Sequence, residues 1–142
     1  MIIRQVTAFL ENKVGMLQKF AAVMEAAGFG VVGMCVADTT DFGILRVITP
    51  KPQECVAHLR ASGFTANTTS VIAVALNEYD RGMEAIFDAL TQNNISIEYL
   101  YSLARRVNKN AVVIFKVSDI HLACQALGAK GVKLLSEEEL AL

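Results

Sequence analysis

The sequence is poor in the residues that build disulfide frameworks and metal sites. Its three cysteines, Cys35, Cys55 and Cys124, are odd in number, lie far apart and form no Cys-x-x-Cys pair. A disulfide framework needs paired cysteines, and a zinc site needs closely spaced ligands. We therefore expect free, buried thiols in a reducing compartment, with no metal and no cofactor.

Long apolar runs and clustered positive charge are also lacking. Hydrophobic residues make up 54% of the 142 residues, yet no stretch approaches the ~20 apolar residues of a membrane span. Residues 1–5 lack the charged region and apolar core of a secretion signal. The net charge is −1 and the basic residues are scattered, apart from a small cluster at Arg105, Arg106 and Lys109. These features predict a cytoplasmic protein that binds neither membranes nor nucleic acid.

Groups of catalytic residues are scarce as well. Hydrolytic and acid–base enzymes need a nucleophile or paired carboxylates near a base. The two histidines, His58 and His121, fall on different predicted helices at non-equivalent places, and no glycine-rich phosphate loop, His-x-x-x-His pair or nucleophile elbow occurs. We therefore expect that the protein is not an enzyme.

The sequence does contain one series of elements twice. Alternating apolar residues predict strands, and apolar residues three and four apart predict helices. These patterns predict strand, helix, strand, strand, helix, strand, with Thr49 as the cap of the second helix. Near the C-terminus, Ser136 and Glu139 form the pattern of a capping box that opens a short terminal helix. The predicted elements of the first series are 3–11, 16–27, 31–37, 42–49, 50–62 and 64–70, and those of the second are 71–76, 83–90, 95–103, 111–117, 118–127 and 132–135.

The two halves keep a nearly constant spacing, as expected for a duplicated domain. Leu17 matches Met83 at an offset of 66, Leu45 matches Phe115 at 70, and Leu59 matches Leu127 at 68. No linker rich in Pro, Gly or Ser separates the halves. We therefore predict two units, residues 1–70 and 71–142, whose antiparallel sheets pack together.

The most distinctive stretch is the turn between the first strand and the first helix, residues 11–17. Such a turn can expose backbone N–H groups at a helix N-terminus, where unsatisfied donors and the helix dipole favour a carboxylate or phosphate. The matching turn of the second half carries Glu78 and Asp80, and Asp80 can cap its own helix and repel an anion. If only one turn binds a carboxylate ligand, we expect it to be the first. The alternative is that Gly15 serves the backbone conformation only.

These features resemble the ACT domain family, small regulatory modules that bind amino acids. The resemblance is carried by the β-α-β-β-α-β order, by the turn Asn12-Lys13-Val14-Gly15-Met16-Leu17 and by the strand start Asn94-Ile95-Ser96-Ile97. It covers the whole chain as two tandem ferredoxin-like units of the α+β class. The family's turn is close to Asn-x-Pro-Gly-x-Leu, and this chain departs from it with Val14 in place of proline and with Arg81 where the second copy would have glycine.

The resemblance implies a free amino acid held between two modules. The turn would contribute its backbone N–H groups and the Asn12 amide, and the start of the partner module's second strand would contribute Ser96 and Ile97. Occupancy would then be passed allosterically to a metabolic enzyme, and pairing of two chains into a homodimer stays open. The alternative is an assembly subunit that binds no ligand and recruits a metabolic enzyme through its sheet faces. The ligand residues implied are Asn12, Lys13, Val14, Gly15, Met16, Leu17, Ser96 and Ile97.

Overall fold

The computed structural model describes residues 1–38, 41–77, 82–140 and 142. The chain divides into two compact units. The first unit consists of Arg4–Thr69 and Leu142, and the second of Met1–Ile3 and Ser70–Ala141. In each unit two helices cover one face of an antiparallel sheet, which confirms the predicted α+β class with tandem ferredoxin-like units.

The order of helices and strands is the predicted one. The predicted strands 64–70 and 71–76 form one continuous strand, and the other boundaries shift by a few residues at most. The predicted domain boundary between residues 70 and 71 therefore falls inside a strand. The elements are β1 (Ile3–Glu11), α1 (Met16–Ala26), β2 (Gly33–Asp38), β3 (Phe42–Ile48), α2 (Pro52–Ala61), β4 (Thr65–Leu76), α3 (Gly82–Gln92), β5 (Ile97–Val107), β6 (Asn110–Val117), α4 (Ile120–Ala129) and β7 (Leu134–Leu135).

The core of the first unit lies between its sheet and its helices. Strand β3 pairs antiparallel with both β1 and β2. Alternate residues of a strand point to opposite faces of the sheet, and those facing the helices are buried. The main core residues are Val6, Ala8, Leu10, Phe20, Met24, Leu45, Val47 and Leu59.

The second unit repeats this arrangement with its own core. Strand β6 pairs antiparallel with β4 and β5, and the short β7 pairs with β4. The helix-facing residues of these strands pack against α3 and α4. The main core residues are Ile72, Val74, Ile86, Leu90, Val113, Phe115 and Leu127.

The strand registers correct the repeat alignment within the hairpin. Leu10 pairs with Gly43 in the first unit, and its counterpart Leu76 pairs with Ala111 in the second. Gly43 and Ala111 therefore correspond at an offset of 68, so the predicted offset of 70 in this strand is wrong. Since 68 also relates the second helices of the two halves, a single two-residue insertion in the second hairpin accounts for the whole register.

Helix α2 begins later than predicted. It starts at Pro52, and its N-cap Lys51 has φ 54° and makes no side-chain capping bond. Thr49 is instead buried, and its hydroxyl donates a hydrogen bond to the carbonyl oxygen of Gly30 at 2.5 Å. The prediction that Thr49 caps this helix is wrong, because Pro52 rather than Pro50 takes the position in the first turn that suits proline.

The capping box near the C-terminus is present, although residues 137–140 form a turn and not the expected helix. The N–H of Glu139 donates to the Ser136 hydroxyl at 3.1 Å. The N–H of Ser136 in turn donates to the Glu139 carboxylate at 2.9 Å. This reciprocal pair is the arrangement that the S-x-x-E pattern predicts.

Candidate functional site

The turn between β1 and α1 presents open backbone donors. Gly15 is the N-cap of α1, with φ 89° and no side chain to accept a bond. The first intrahelical bond runs from the N–H of Lys19 to the carbonyl oxygen of Gly15 at 3.0 Å. Among the residues that the structure describes, none accepts a hydrogen bond from the N–H of Leu17 or Gln18. Since the first turn of α1 also lacks an acidic side chain, these donors and the positive end of the helix dipole remain available to an anion.

Backbone hydrogen bonds hold this turn in place. The N–H of Asn12 donates to the carbonyl oxygen of Asp41 at 3.0 Å, and the N–H of Lys13 donates to the carbonyl oxygen of Glu11 at 2.9 Å. A Cβ atom built on Gly15 would meet nothing within 4 Å, so only the left-handed backbone conformation requires glycine there. Gly15 is therefore required by its backbone conformation, and the N–H donors of the same turn are open as well.

A pocket of about 290 Å³ lies beside the turn. It is lined by residues 10–18, which include all six predicted ligand residues of the first unit, and by Val36 of β2 and Gly43 of β3. Sequence reasoning missed Val36 and Gly43. For Gly43 a signal existed, since a glycine inside a strand often marks a close approach by a ligand or another backbone.

The charged side chains at the pocket rim are paired with each other. The Lys13 ammonium lies 2.8 Å from a carboxylate oxygen of Glu11, and both side chains are more than half exposed. The hydrogen bond and the charge of Lys13 lower the pKa of the Glu11 carboxyl. Because the Glu11 carboxylate offsets the charge of Lys13, the preference of the pocket for an anion depends chiefly on the backbone donors.

The two remaining predicted ligand residues, Ser96 and Ile97, belong to the second unit. The N–H of Ser96 donates to the Ser118 hydroxyl, and the N–H of Ser118 donates to the carbonyl oxygen of Ser96, both at 3.0 Å. Ile97 pairs with Val117, and its side chain packs against the core of this unit. The Ser96 side chain is exposed. A part for Ser96 and Ile97 in ligand binding stays a prediction.

The second turn cannot be compared directly, because Glu78, Tyr79, Asp80 and Arg81 lie outside the described residues. The prediction that Asp80 caps α3 therefore stays a prediction. Beside this turn, a Cβ atom built on Gly82 would lie 3.2 Å from Cδ2 of Leu76. A larger residue at the first position of α3 would require the Leu76 side chain to move.

Within the described ranges, no group of three or more His, Cys, Asp or Glu side chains could hold a metal ion. Cys35, Cys55 and Cys124 are free thiols. Burial raises the pKa of the Cys55 thiol to about 11, and this thiol donates to the sulfur of Met24 at 3.4 Å. Cys55 is therefore protonated at neutral pH and contributes to the core.

Over the described part of the chain, no helix has both the length and the apolar character needed to cross a membrane.

Comparison with known proteins gives a family match and several similar structures. Residues 1–142 match the family described as the ACT domain pair. The crystal structure of a protein from Bacteroides thetaiotaomicron is 30% identical with a TM-score of 0.89, over 99% of this chain and 96% of that one. The ligand-free regulatory subunit of aspartate kinase from Thermus thermophilus is 14% identical with a TM-score of 0.60, over 89% of this chain and 91% of that one. Aspartate kinase from Clostridium acetobutylicum is 16% identical with a TM-score of 0.53, over 89% of this chain and 32% of that one. No curated protein matches.

Proposed function

Because the chain belongs to the ACT domain pair family over its whole length, we propose that it is a regulatory protein that binds a free amino acid and reports its presence to a metabolic enzyme. ACT domain pairs are regulatory modules, and the regulatory subunit of aspartate kinase from Thermus thermophilus shares the fold. Coupling requires that the ligand stabilise one conformation of the protein over another.

The pocket beside the first turn is the observation that carries the proposal. The ligand carboxylate would accept hydrogen bonds from the N–H groups of Leu17 and Gln18, at the end of α1 where the dipole favours negative charge. The ligand ammonium would donate to the Asn12 amide oxygen and to carbonyl oxygens of the turn. A volume of about 290 Å³ is at the lower end of the range for small-molecule sites, which suits a free amino acid.

A contribution from Ser96 and Ile97 to ligand binding is part of the proposal and rests on the family resemblance alone. Ser96→Ala tests it, because this change removes only the exposed hydroxyl and leaves in place the two hydrogen bonds that the Ser96 backbone makes with Ser118. A loss of affinity would support the role. Unchanged affinity for every amino acid that binds would remove Ser96 from the site.

A second candidate function is an assembly subunit that binds no ligand. Phe9 and Phe42 are 43% and 54% exposed. By strand register they lie on the face of the first sheet that points away from the helices, since Phe9 pairs with Ile44 and Glu11 with Phe42. Exposed apolar surface of this kind can mark a protein contact. This face is where an enzyme would dock in the alternative.

Thermal unfolding with each common amino acid in turn distinguishes the two functions. A ligand present at about a hundred times its dissociation constant adds roughly 2.7 kcal/mol to the free energy of unfolding. For a chain of this size that amounts to a rise of at least a few degrees in Tm. If no amino acid raises the Tm, the assembly function replaces the proposed one.

A further inference from the structure

Gly43 occupies a position where its own backbone gives no reason for glycine. It is the second residue of β3, and glycine weakens a strand because it has no side chain to pack and loses more conformational freedom on folding. Within the described residues, the glycines with positive φ are Gly15, Gly28, Gly63 and Gly131. Gly43 is therefore in a backbone conformation that other residues can adopt.

Neighbouring atoms do not require glycine at this position either. A Cβ atom built on Gly43 would lie 3.9 Å from the carbonyl oxygen of Leu10 and 3.9 Å from Cγ1 of Val36. Both distances are ordinary van der Waals contacts, and apart from the adjacent residues 42 and 44 no other heavy atom of the described structure lies within 4 Å. The folded unit itself could thus accommodate at least an alanine at position 43.

The strand register shows where a side chain at position 43 would point. Gly43 pairs with Leu10, and Val36 pairs with Leu45. Paired residues project to the same face of a sheet, and Leu10 and Leu45 are buried on the face that the helices cover. A side chain at position 43 would therefore project toward α1 and occupy the pocket that Gly43 lines.

We propose that Gly43 is a specificity-determining residue, because its missing side chain leaves the space in which the side chain of the bound ligand lies. This inference rests on the proposed function, with the ligand carboxylate at the start of α1. The residues beside Gly43 in the pocket, Leu10 and Val36, are apolar, and Met16 adds a third apolar side chain. A charged group beside these apolar side chains would lose hydration, and the charges of Lys13 and Glu11 at the rim are paired with each other. The ligand class is therefore an amino acid with an apolar side chain.

The experiment measures the binding of glycine, alanine, valine, leucine, aspartate and lysine by calorimetry to the wild-type protein, Gly43→Ala and Gly43→Val. We expect the wild type to bind the apolar amino acids more tightly than the charged ones. An added methyl or isopropyl group should weaken the binding of valine and leucine by about tenfold or more. The smaller glycine and alanine should change little with Gly43→Ala, so the order of affinities changes.

Ala111 offers a matched control, because it pairs with Leu76 in the second unit as Gly43 pairs with Leu10 in the first. Ala111→Val should leave the order of affinities unchanged. The ligand-free Tm of each variant shows whether it folds.

An equal loss of affinity for every ligand in the Gly43 variants, or no loss of affinity, overturns the specificity role while leaving the proposed function in place. Preference of the wild type for a charged amino acid also overturns the inference. If the wild type binds none of the common amino acids, the proposed function fails and the inference fails with it.

Discussion

The N–H of Asn12 donates a hydrogen bond to the carbonyl oxygen of Asp41 at 3.0 Å. This bond joins the turn after β1 to the residue just before β3, two positions from Gly43. The proposed ligand donors on one side of the pocket and the glycine on the other are therefore fixed by the same connection. A change in the hairpin that moves Asp41 would also move the turn.

Gly15→Ala should destabilise the protein. At φ 89° a residue with a Cβ atom pays about 1–2 kcal/mol for the left-handed conformation. Chemical denaturation measures the loss. Gly128→Ala is the matched control, since Gly128 lies within α4 without positive φ and with open space around it. It should stabilise the protein by about 0.5–1 kcal/mol, and equal effects of the two variants would contradict the backbone argument.

Asn12→Ala should weaken amino acid binding without changing the ligand-free Tm. The Asn12 side chain is exposed, and a hydrogen bond to the charged ammonium of a ligand is worth about a factor of ten or more in affinity. Calorimetric titration measures the effect. Asp80→Ala should keep full affinity, because the sequence predicts that the second turn is closed. Loss of binding in Asp80→Ala but not in Asn12→Ala would mean that the second turn holds the ligand.

Asp119→Ala should reduce the free energy of unfolding by about 1 kcal/mol. Asp119 is the N-cap of α4, and its carboxylate accepts a hydrogen bond from the N–H of Leu122 at 3.0 Å. Urea denaturation measures the loss. Asp119→Asn keeps an acceptor of the same shape and should retain most of the stability. If both variants lose the same amount, the capping bond is not the cause.

Glu139 should make a pH-dependent contribution to stability. Hydrogen bonds from Lys133, whose ammonium lies 2.6 Å away, and from the N–H of Ser136 lower the pKa of its carboxyl. A lowered pKa adds stability that is present above the ordinary glutamate pKa and is lost as the pH falls through the lowered value. Glu139→Gln should therefore be less stable than the wild type at pH 7, and urea denaturation should find the two closer at pH 3. A difference that stays constant with pH would argue against the ionic contribution.

The sequence predicted β1 and α1 closely because both carry strong periodicity and end at clear signals. The tandem ferredoxin-like fold followed from the repeat, and the family match agrees with it. The start of α2 was missed because two prolines, Pro50 and Pro52, lie two residues apart, and local propensity does not decide which of them begins the helix. The continuous β4 was read as two strands because the repeat suggested a boundary between residues 70 and 71.

The pocket was only half predictable from the sequence. Its turn is contiguous in the chain and could be recognised by its polar residues and glycine. Val36 and Gly43 reach the pocket through strand pairing. The sequence did not determine the register of these strands, as the wrong offset of 70 instead of 68 for the third strand shows. Gly43 lines the pocket beside Leu10 because the two residues are paired across β3 and β1.

The close approach of the Leu76 side chain to the start of α3 determines how the second half of the chain could accommodate a larger residue at position 82. At the equivalent place the first half has Met16, whose side chain packs against the core. The Cβ atom of a methionine at position 82 would lie 3.2 Å from Cδ2 of Leu76. Because the first half holds Leu10, the counterpart of Leu76, together with Met16, a shift of the Leu76 side chain by a few tenths of an ångström would let the second copy regain the first copy's helix start through one substitution.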